Sequence, residues 1–146
     1  MSVRSYTKIW LHLIWSTQNR EKLLVDKQLR KELSQYYYDY SVEKKIYMKI
    51  NYINPDHVHA LINLPTNLTV EKVLHLYKGS SSNWLNKQVN FRFQWGKGYG
   101  AFSVSESNLD RVVKYIINQE EHHRKKSFTK EYEEFLRKHN IFIING

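Results

Sequence analysis

Apolar and polar residues along the chain divide it into segments of two periods. From Lys8 to Thr17, Ile9, Leu11, Leu13 and Trp15 fall on one side and Trp10, His12 and Ile14 on the other, which predicts a strand covered on both faces. Asn19 to Leu24 is a polar, basic connection. Asp26 then caps a helix running to about Val42, with Leu29, Leu33, Tyr36, Tyr37 and Tyr40 at helical spacing. Two short strand-like runs, Tyr47 to Ile53 and His57 to Leu64, flank the turn tripeptide Asn54-Pro55-Asp56 and predict a hairpin. Thr69 caps a second helix through Leu85, although Gly79 and three serines weaken its middle. Phe91 to Val104 reads as a fourth strand, bent or broken at its start by Gly96, Gly98 and Gly100. Ser107 or Asn108 caps a third helix from Leu109 to about His123, and Thr129 caps a fourth to about His139.

The order β-α-β-β-α-β is that of ferredoxin-like and RRM-like folds, so the expected class is α+β: a split βαβ antiparallel sheet with two added C-terminal helices. The first two helices cover one sheet face and leave the other for ligands or for the added helices. At 146 residues the chain has room for one domain, 1–146, with an α/β core in 1–105 and C-terminal helices in 106–146. No internal repeat or low-complexity tract interrupts it.

Composition narrows the partners. The chain has 23 Lys plus Arg against 14 Asp plus Glu, a formal net charge of +9, which suggests a polyanionic partner. Up to Ser105 there are 15 basic and 7 acidic residues, a net +8; from Glu106 onward there are 8 and 7, a net +1. The C-terminal part, dense in both signs, reads as solvated helical surface. With no cysteine, a disulfide framework and Cys-ligated zinc or iron–sulfur sites are excluded. The apolar stretch around Trp10 to Trp15 is short and carries His12, so neither a signal peptide nor a membrane span is expected. A soluble, cytoplasmic protein is expected.

Two constellations carry chemistry. In Asp56-His57-Val58-His59, strand alternation puts His57 and His59 on one face, about 7 Å apart, opposite Val58, Ala60, Ile62 and Leu64. Two imidazoles so placed can converge on one metal ion. A bare His-X-His also arises by chance. On the third helix, Tyr115 and Gln119 lie about 40° apart, joined by Arg111 and His122, whereas Leu109, Val113 and Ile116 centre elsewhere. Taken alone, in a chain with eleven tyrosines, Tyr115 reads as a boundary tyrosine that packs its ring and exposes its hydroxyl.

Together, His57-Val58-His59 and Tyr115-x-x-x-Gln119 resemble the HUH-type single-tyrosine transposases of small bacterial insertion sequences that move as single-stranded DNA, a group that includes the REP-associated tyrosine transposases. The likeness spans nearly the whole chain, through the strand order, the Gly98 to Ser105 segment and the tail from Glu120 to Leu136. The resemblance implies that His57, His59 and Gln119 hold one divalent cation, Mg²⁺ or Mn²⁺, which activates the scissile phosphate. It implies that Tyr115 is the nucleophile, giving a 5′-phosphotyrosine link and a free 3′-OH. The implied substrate is single-stranded DNA with a subterminal hairpin. The implied assembly is a homodimer in which one subunit's tyrosine helix can complete the other's histidine site by swinging at about Ser105 to Asn108. Arg20, Lys22, Lys78, Asn83 and Lys87 are candidate phosphate contacts.

Two other readings stay open. A non-catalytic RRM-like nucleic-acid-binding module explains the fold order and charge, but it calls for stacking aromatics on the sheet where His57 and His59 stand. A relaxase or replication-initiator nickase shares the His-hydrophobe-His element but usually supplies a third histidine and a larger chain.

Overall fold

Strand β1 (Trp10–Ser16) lies inside the sheet, antiparallel to β3 (His57–Asn63) on one side and to β4 (Gly100–Val104) on the other. The computed structural model describes residues 5–141. β2 (Tyr47–Ile53) pairs with β3 through the turn at Asn54 to Asp56, so the strand order is β2-β3-β1-β4, all antiparallel. With α1 (Lys27–Glu43) after β1 and α2 (Val70–Gln88) after β3, this is the expected split βαβ arrangement.

The alternation in β1 and β3 sorts their side chains between two layers. Leu11, Leu13 and Trp15 of β1 with Val58, Ala60 and Ile62 of β3 pack beneath α1 and α2, where Leu33, Tyr37, Val73, Leu74, Tyr77 and Leu85 complete the main core. Asp26 caps α1 by accepting from the backbone N–H of Gln28 and Leu29, and Thr69 caps α2 by accepting from that of Lys72. The serines predicted to weaken α2 leave it continuous, and the buried one of the three, Ser81, bonds within the core. Ser81 Oγ accepts from Tyr37 Oη and Trp95 Nε1, each at 3.0 Å, and donates to the carbonyl of Tyr77 at 2.6 Å.

On the opposite face, three further helices cover what α1 and α2 leave: α3 (Leu109–Ile117), α4 (Gln119–Lys125) and α5 (Phe128–Lys138). Two apolar groups anchor them. Leu109 and Ile116 of α3 close on Trp10 and Leu61, and Phe128 of α5 closes on Ile14 and Phe102. The polar residues of this face, His12, His57 and His59, stand between these groups and are 0–1% exposed.

Three local expectations are corrected. The fourth strand is confined to Gly100–Val104; the stretch before it is irregular, its backbone held instead by the Asn86 side chain, which bonds both N–H and C=O of Phe93. Buried Phe93 and Trp95 explain why that stretch looked strand-like. The helix expected from Leu109 to His123 breaks at Asn118 (φ −92°, ψ 25°), and a 3-10 turn at Glu106–Asn108 precedes it with no side-chain cap. The last helix is capped by Ser127, which accepts from the N–H of Lys130, and not by Thr129, whose hydroxyl accepts from Arg20.

Candidate active site

β3 delivers His57 and His59 to the helix-covered face, and β1 brings His12 beside them: Ile14 pairs with His59 and Ser16 with His57 in the ladder. Each imidazole is gripped at its Nδ1. His57 Nδ1 donates to Asp56 Oδ1 at 2.6 Å, and His59 Nδ1 shares a hydrogen bond with His12 Nε2 at 2.8 Å. This leaves both Nε2 atoms pointing at the helices. Glu131 of α5 meets them, its Oε1 lying 3.3 Å from His57 Nε2, 3.2 Å from His59 Nε2 and 3.4 Å from His123 Nε2 of α4. Glu131 Oε2 accepts the hydroxyl of Tyr115.

The break at Asn118 turns Gln119 into the sheet, where it is fully buried. Its Oε1 accepts from Asn54 Nδ2 at 3.3 Å and lies 3.0 Å from His123 Nε2; its Nε2 donates to the Tyr115 carbonyl at 3.3 Å. Phe128 closes the site from the side, its ring stacked on that of His57 at 3.9 Å.

Burial and charge set the ionisation. Burial pushes His59 down to about 4, against the upward pull of Glu131, so its imidazole is neutral near pH 7 and has a lone pair to give. Burial, then the neighbouring His59, lowers His12 as well. Burial alone would raise Glu131, but its contacts with His123, His57 and His59 outweigh it and hold the carboxyl well below the usual range. His123 moves up despite its burial because it bonds to that carboxylate. Burial, reinforced by the bond to Glu131 and by its charge, pushes Tyr115 well up, so the phenol is stored protonated.

His57, His59, His123 and Glu131 each offer a donor atom, all within 4.8 Å of one another, which is a donor set able to hold a metal ion. The second contacts suit that use. A carboxylate behind His57 fixes the tautomer that leaves Nε2 unprotonated, with Asn54 Nδ2 3.1 Å from it, and His12 can do so for His59 by accepting its Nδ1 proton.

The family profile described as "Transposase IS200 like" matches residues 5–119, from before β1 to the buried glutamine. The chain belongs to the IS200-like transposase family. Solved structures share its fold. A candidate transposase from Deinococcus radiodurans R1 aligns at 24% identity and a TM-score of 0.64, over 82% of this chain and 97% of that one. A REP-associated tyrosine transposase bound to a REP hairpin aligns at 15% identity and a TM-score of 0.62, over 84% of this chain and 73% of that one. No curated protein sequence matches.

This IS200-like transposase therefore brings the four sequence-predicted residues, His57, His59, Tyr115 and Gln119, to one place within a single chain. Sequence reasoning missed His123, Glu131, His12 and Asn54 as members of the site. His123 and Glu131 lie beyond the stretch that the family profile matches. Signals for both were nonetheless present. His123 stands one helical turn after Gln119, and Glu131 interrupts the apolar stripe Phe128, Tyr132, Phe135, Leu136 at its second position, where a solvated carboxylate does not belong.

The predicted DNA contacts are scattered around the transposase fold. Arg20 Nη1 donates to Thr129 Oγ1 at 2.9 Å and the guanidinium lies 5.6 Å from the Phe128 ring centre, close to the site. Lys22 is exposed on the connection before α1. Asn83 and Lys87 are exposed on α2, which covers the other sheet face. Lys78 is committed internally, its Nζ donating to the carbonyls of Gly96 (2.6 Å), Lys97 and Gly98 (both 3.2 Å). No helix among the described residues is long and apolar enough to cross a membrane.

Proposed function

We propose that this transposase cleaves and rejoins single-stranded DNA at element ends marked by subterminal hairpins, with Tyr115 as nucleophile and a divalent cation, Mg²⁺ or Mn²⁺, as cofactor. One observation carries the reading: Glu131 joins the Tyr115 hydroxyl to the imidazoles of His57, His59 and His123, so nucleophile and metal donors lie within the span of one carboxylate. His57, His59 and Gln119 form the ligand set that the family resemblance implies, and His123 and Glu131 add to it. A cation held there by these side chains would polarise a phosphate oxygen and offset the charge that gathers on it.

The chain's own residues do the rest. Asp56 and His12 hold the two β3 imidazoles in orientation. Glu131 aims the phenol oxygen of Tyr115; as that oxygen bonds to phosphorus, the phosphorus–O3′ bond breaks and the phenol proton passes by way of the carboxylate to the departing O3′. The strand is left with a 3′-OH, and its 5′-phosphate is esterified to Tyr115. Attack of a 3′-OH on that ester reverses the step and releases the phenol, a better leaving group than an alkoxide, so rejoining needs no nucleotide hydrolysis. The unit that acts is 1–146, in which 106–146 carries the nucleophile. Two copies working together as a homodimer, at the nucleoid, remain part of the proposal.

The test is incubation of the purified protein with hairpin-bearing single-stranded DNA from the ends of its own element and Mg²⁺ or Mn²⁺, followed by a denaturing gel. A covalent protein–DNA adduct that vanishes in Tyr115→Phe is the expected result. Persistence of the adduct in that variant overturns the nucleophile, and equal cleavage of double-stranded DNA overturns the single-strand reading.

A further inference from the structure

Next to the histidine site, the end of β1, the loop at 96–99 and α5 enclose a cavity of about 460 Å³. That volume falls within the roughly 300–1,000 Å³ typical of small-molecule sites. Its lining includes Asn19, Arg20, Lys97, Tyr99, Phe128 and Tyr132, and no carboxylate stands among its described lining residues. The cavity shares a wall with the metal-donor cluster, since the Phe128 ring that borders it is stacked on His57.

The cavity is preformed. Lys78 ties down the loop through three backbone carbonyls, and Gly96 N donates to the Ser16 carbonyl at 2.8 Å. Asn19 and Arg20 both take the left-handed backbone conformation (φ 55° each), a costly choice for an arginine, and the bond to Thr129 then fixes the Arg20 guanidinium over Phe128. Tyr99, meanwhile, is 40% exposed, an aromatic residue open to solvent in a lining that also holds two cations, Arg20 and Lys97.

Aromatic faces flanked by Arg and Lys, with no opposing carboxylate, are the chemistry that takes an unpaired nucleotide: the base stacks and the phosphate meets the cations. We propose that this cavity receives one unpaired base of the DNA strand next to the scissile phosphate, stacking it on Tyr99 and Tyr132 while Arg20 and Lys97 hold the adjoining phosphate. The proposal rests on the single-stranded DNA reading above and adds to it a binding position for one nucleotide.

The test is photo-crosslinking of the full-length protein, in EDTA so that no cleavage intervenes, to a single-stranded oligothymidylate carrying 5-iodouracil, with the crosslinked peptides identified by mass spectrometry. Crosslinks at Tyr99 or Tyr132 are expected. Tyr99→Ala should weaken oligothymidylate binding about tenfold, and Tyr99→Phe should restore it, because the ring and not the hydroxyl stacks. Crosslinks found only elsewhere, or wild-type affinity in folded Tyr99→Ala, overturn the proposal, as does a failure of oligothymidylate to bind at all. If crosslinks map to the cavity while no Tyr115-dependent adduct forms with hairpin DNA, the catalytic reading falls and the nucleotide site stands. An adduct without cavity crosslinks gives the reverse.

Discussion

Tyr115 donates its hydroxyl to Oε2 of Glu131, a residue on a different helix and sixteen positions further along the chain. The other oxygen of that carboxylate lies against the histidines, so one side chain answers to both the proposed nucleophile and the candidate metal donors. Glu131→Gln keeps the shape and the ability to accept from the phenol but removes the charge. Calorimetric titration with Mn²⁺ should show affinity falling at least about tenfold in this variant, while Tyr115→Phe changes it little. Wild-type Mn²⁺ affinity in Glu131→Gln would remove Glu131 from the ligand set.

The seating of α5 is open to test from the sheet side. Gly100 on β4 faces Tyr132, and a Cβ built there would come within 2.8 Å of Tyr132 Oη and of a Phe102 ring carbon. Gly100→Ala therefore forces the Phe102 and Tyr132 rings to shift, and disturbs the seating of Glu131, the neighbour of Tyr132. A loss of about 1–3 kcal/mol in denaturant unfolding is expected, together with weaker Mn²⁺ binding. Unchanged stability with unchanged Mn²⁺ affinity would mean that α5 is not held through this contact.

The strand and helix order was legible because β1, β3, α1 and α2 each have a clean period matched to a buried face, and β3 announced its two histidines by the same alternation. What sequence reasoning missed was set by tertiary contacts. The segment before Gly100 has the composition of a strand, yet its backbone is held by Asn86, far from it in local pattern. Nothing local marks Asn118 as a break, because the gain from turning Gln119 inward appears only once the sheet face is present. Glu131 and its neighbours read as a solvated helix since charge density there is high on both sides of a narrow apolar stripe.

Lys78 and Lys87 look alike in sequence but should differ under salt. Lys78 is bonded to three carbonyls, and burial lowers its ammonium below the ordinary lysine range. Lys78→Met should cost about 1–3 kcal/mol in unfolding free energy and leave the slope of log affinity against log salt for DNA unchanged. Lys87→Ala should do the reverse, reducing that slope by about one with stability retained. A reduced slope in Lys78→Met would make Lys78 a phosphate contact after all.

Alkaline pH should loosen the main core through its tyrosines. Burial pushes Tyr77 up from 10.0 to about 12 and raises Tyr37 further. The folded state thus holds these protons more tightly than the unfolded chain. Their stabilisation is complete below pH 10 and is lost as pH rises through 12, with Tyr77 alone accounting for about 3 kcal/mol. Unfolding free energy measured from pH 9 upward should fall over that window, with tyrosinate absorbance appearing as the near-ultraviolet circular dichroism of the core collapses. Tyr77→Phe should flatten the decline; an equally steep decline in that variant would assign it to other groups.

The alternation of β3 has a consequence for how the chain can fail. A one-residue slip in its pairing would send His57 and His59 into the apolar layer under α1 and α2 and turn Val58 and Ala60 toward Glu131. Such a molecule would lose its core and its metal donors at the same moment. For an enzyme able to cut DNA, the two losses are tied together: a misassembled copy is a harmless one, because no arrangement of this strand keeps the histidines in the site without also keeping the valine in the core.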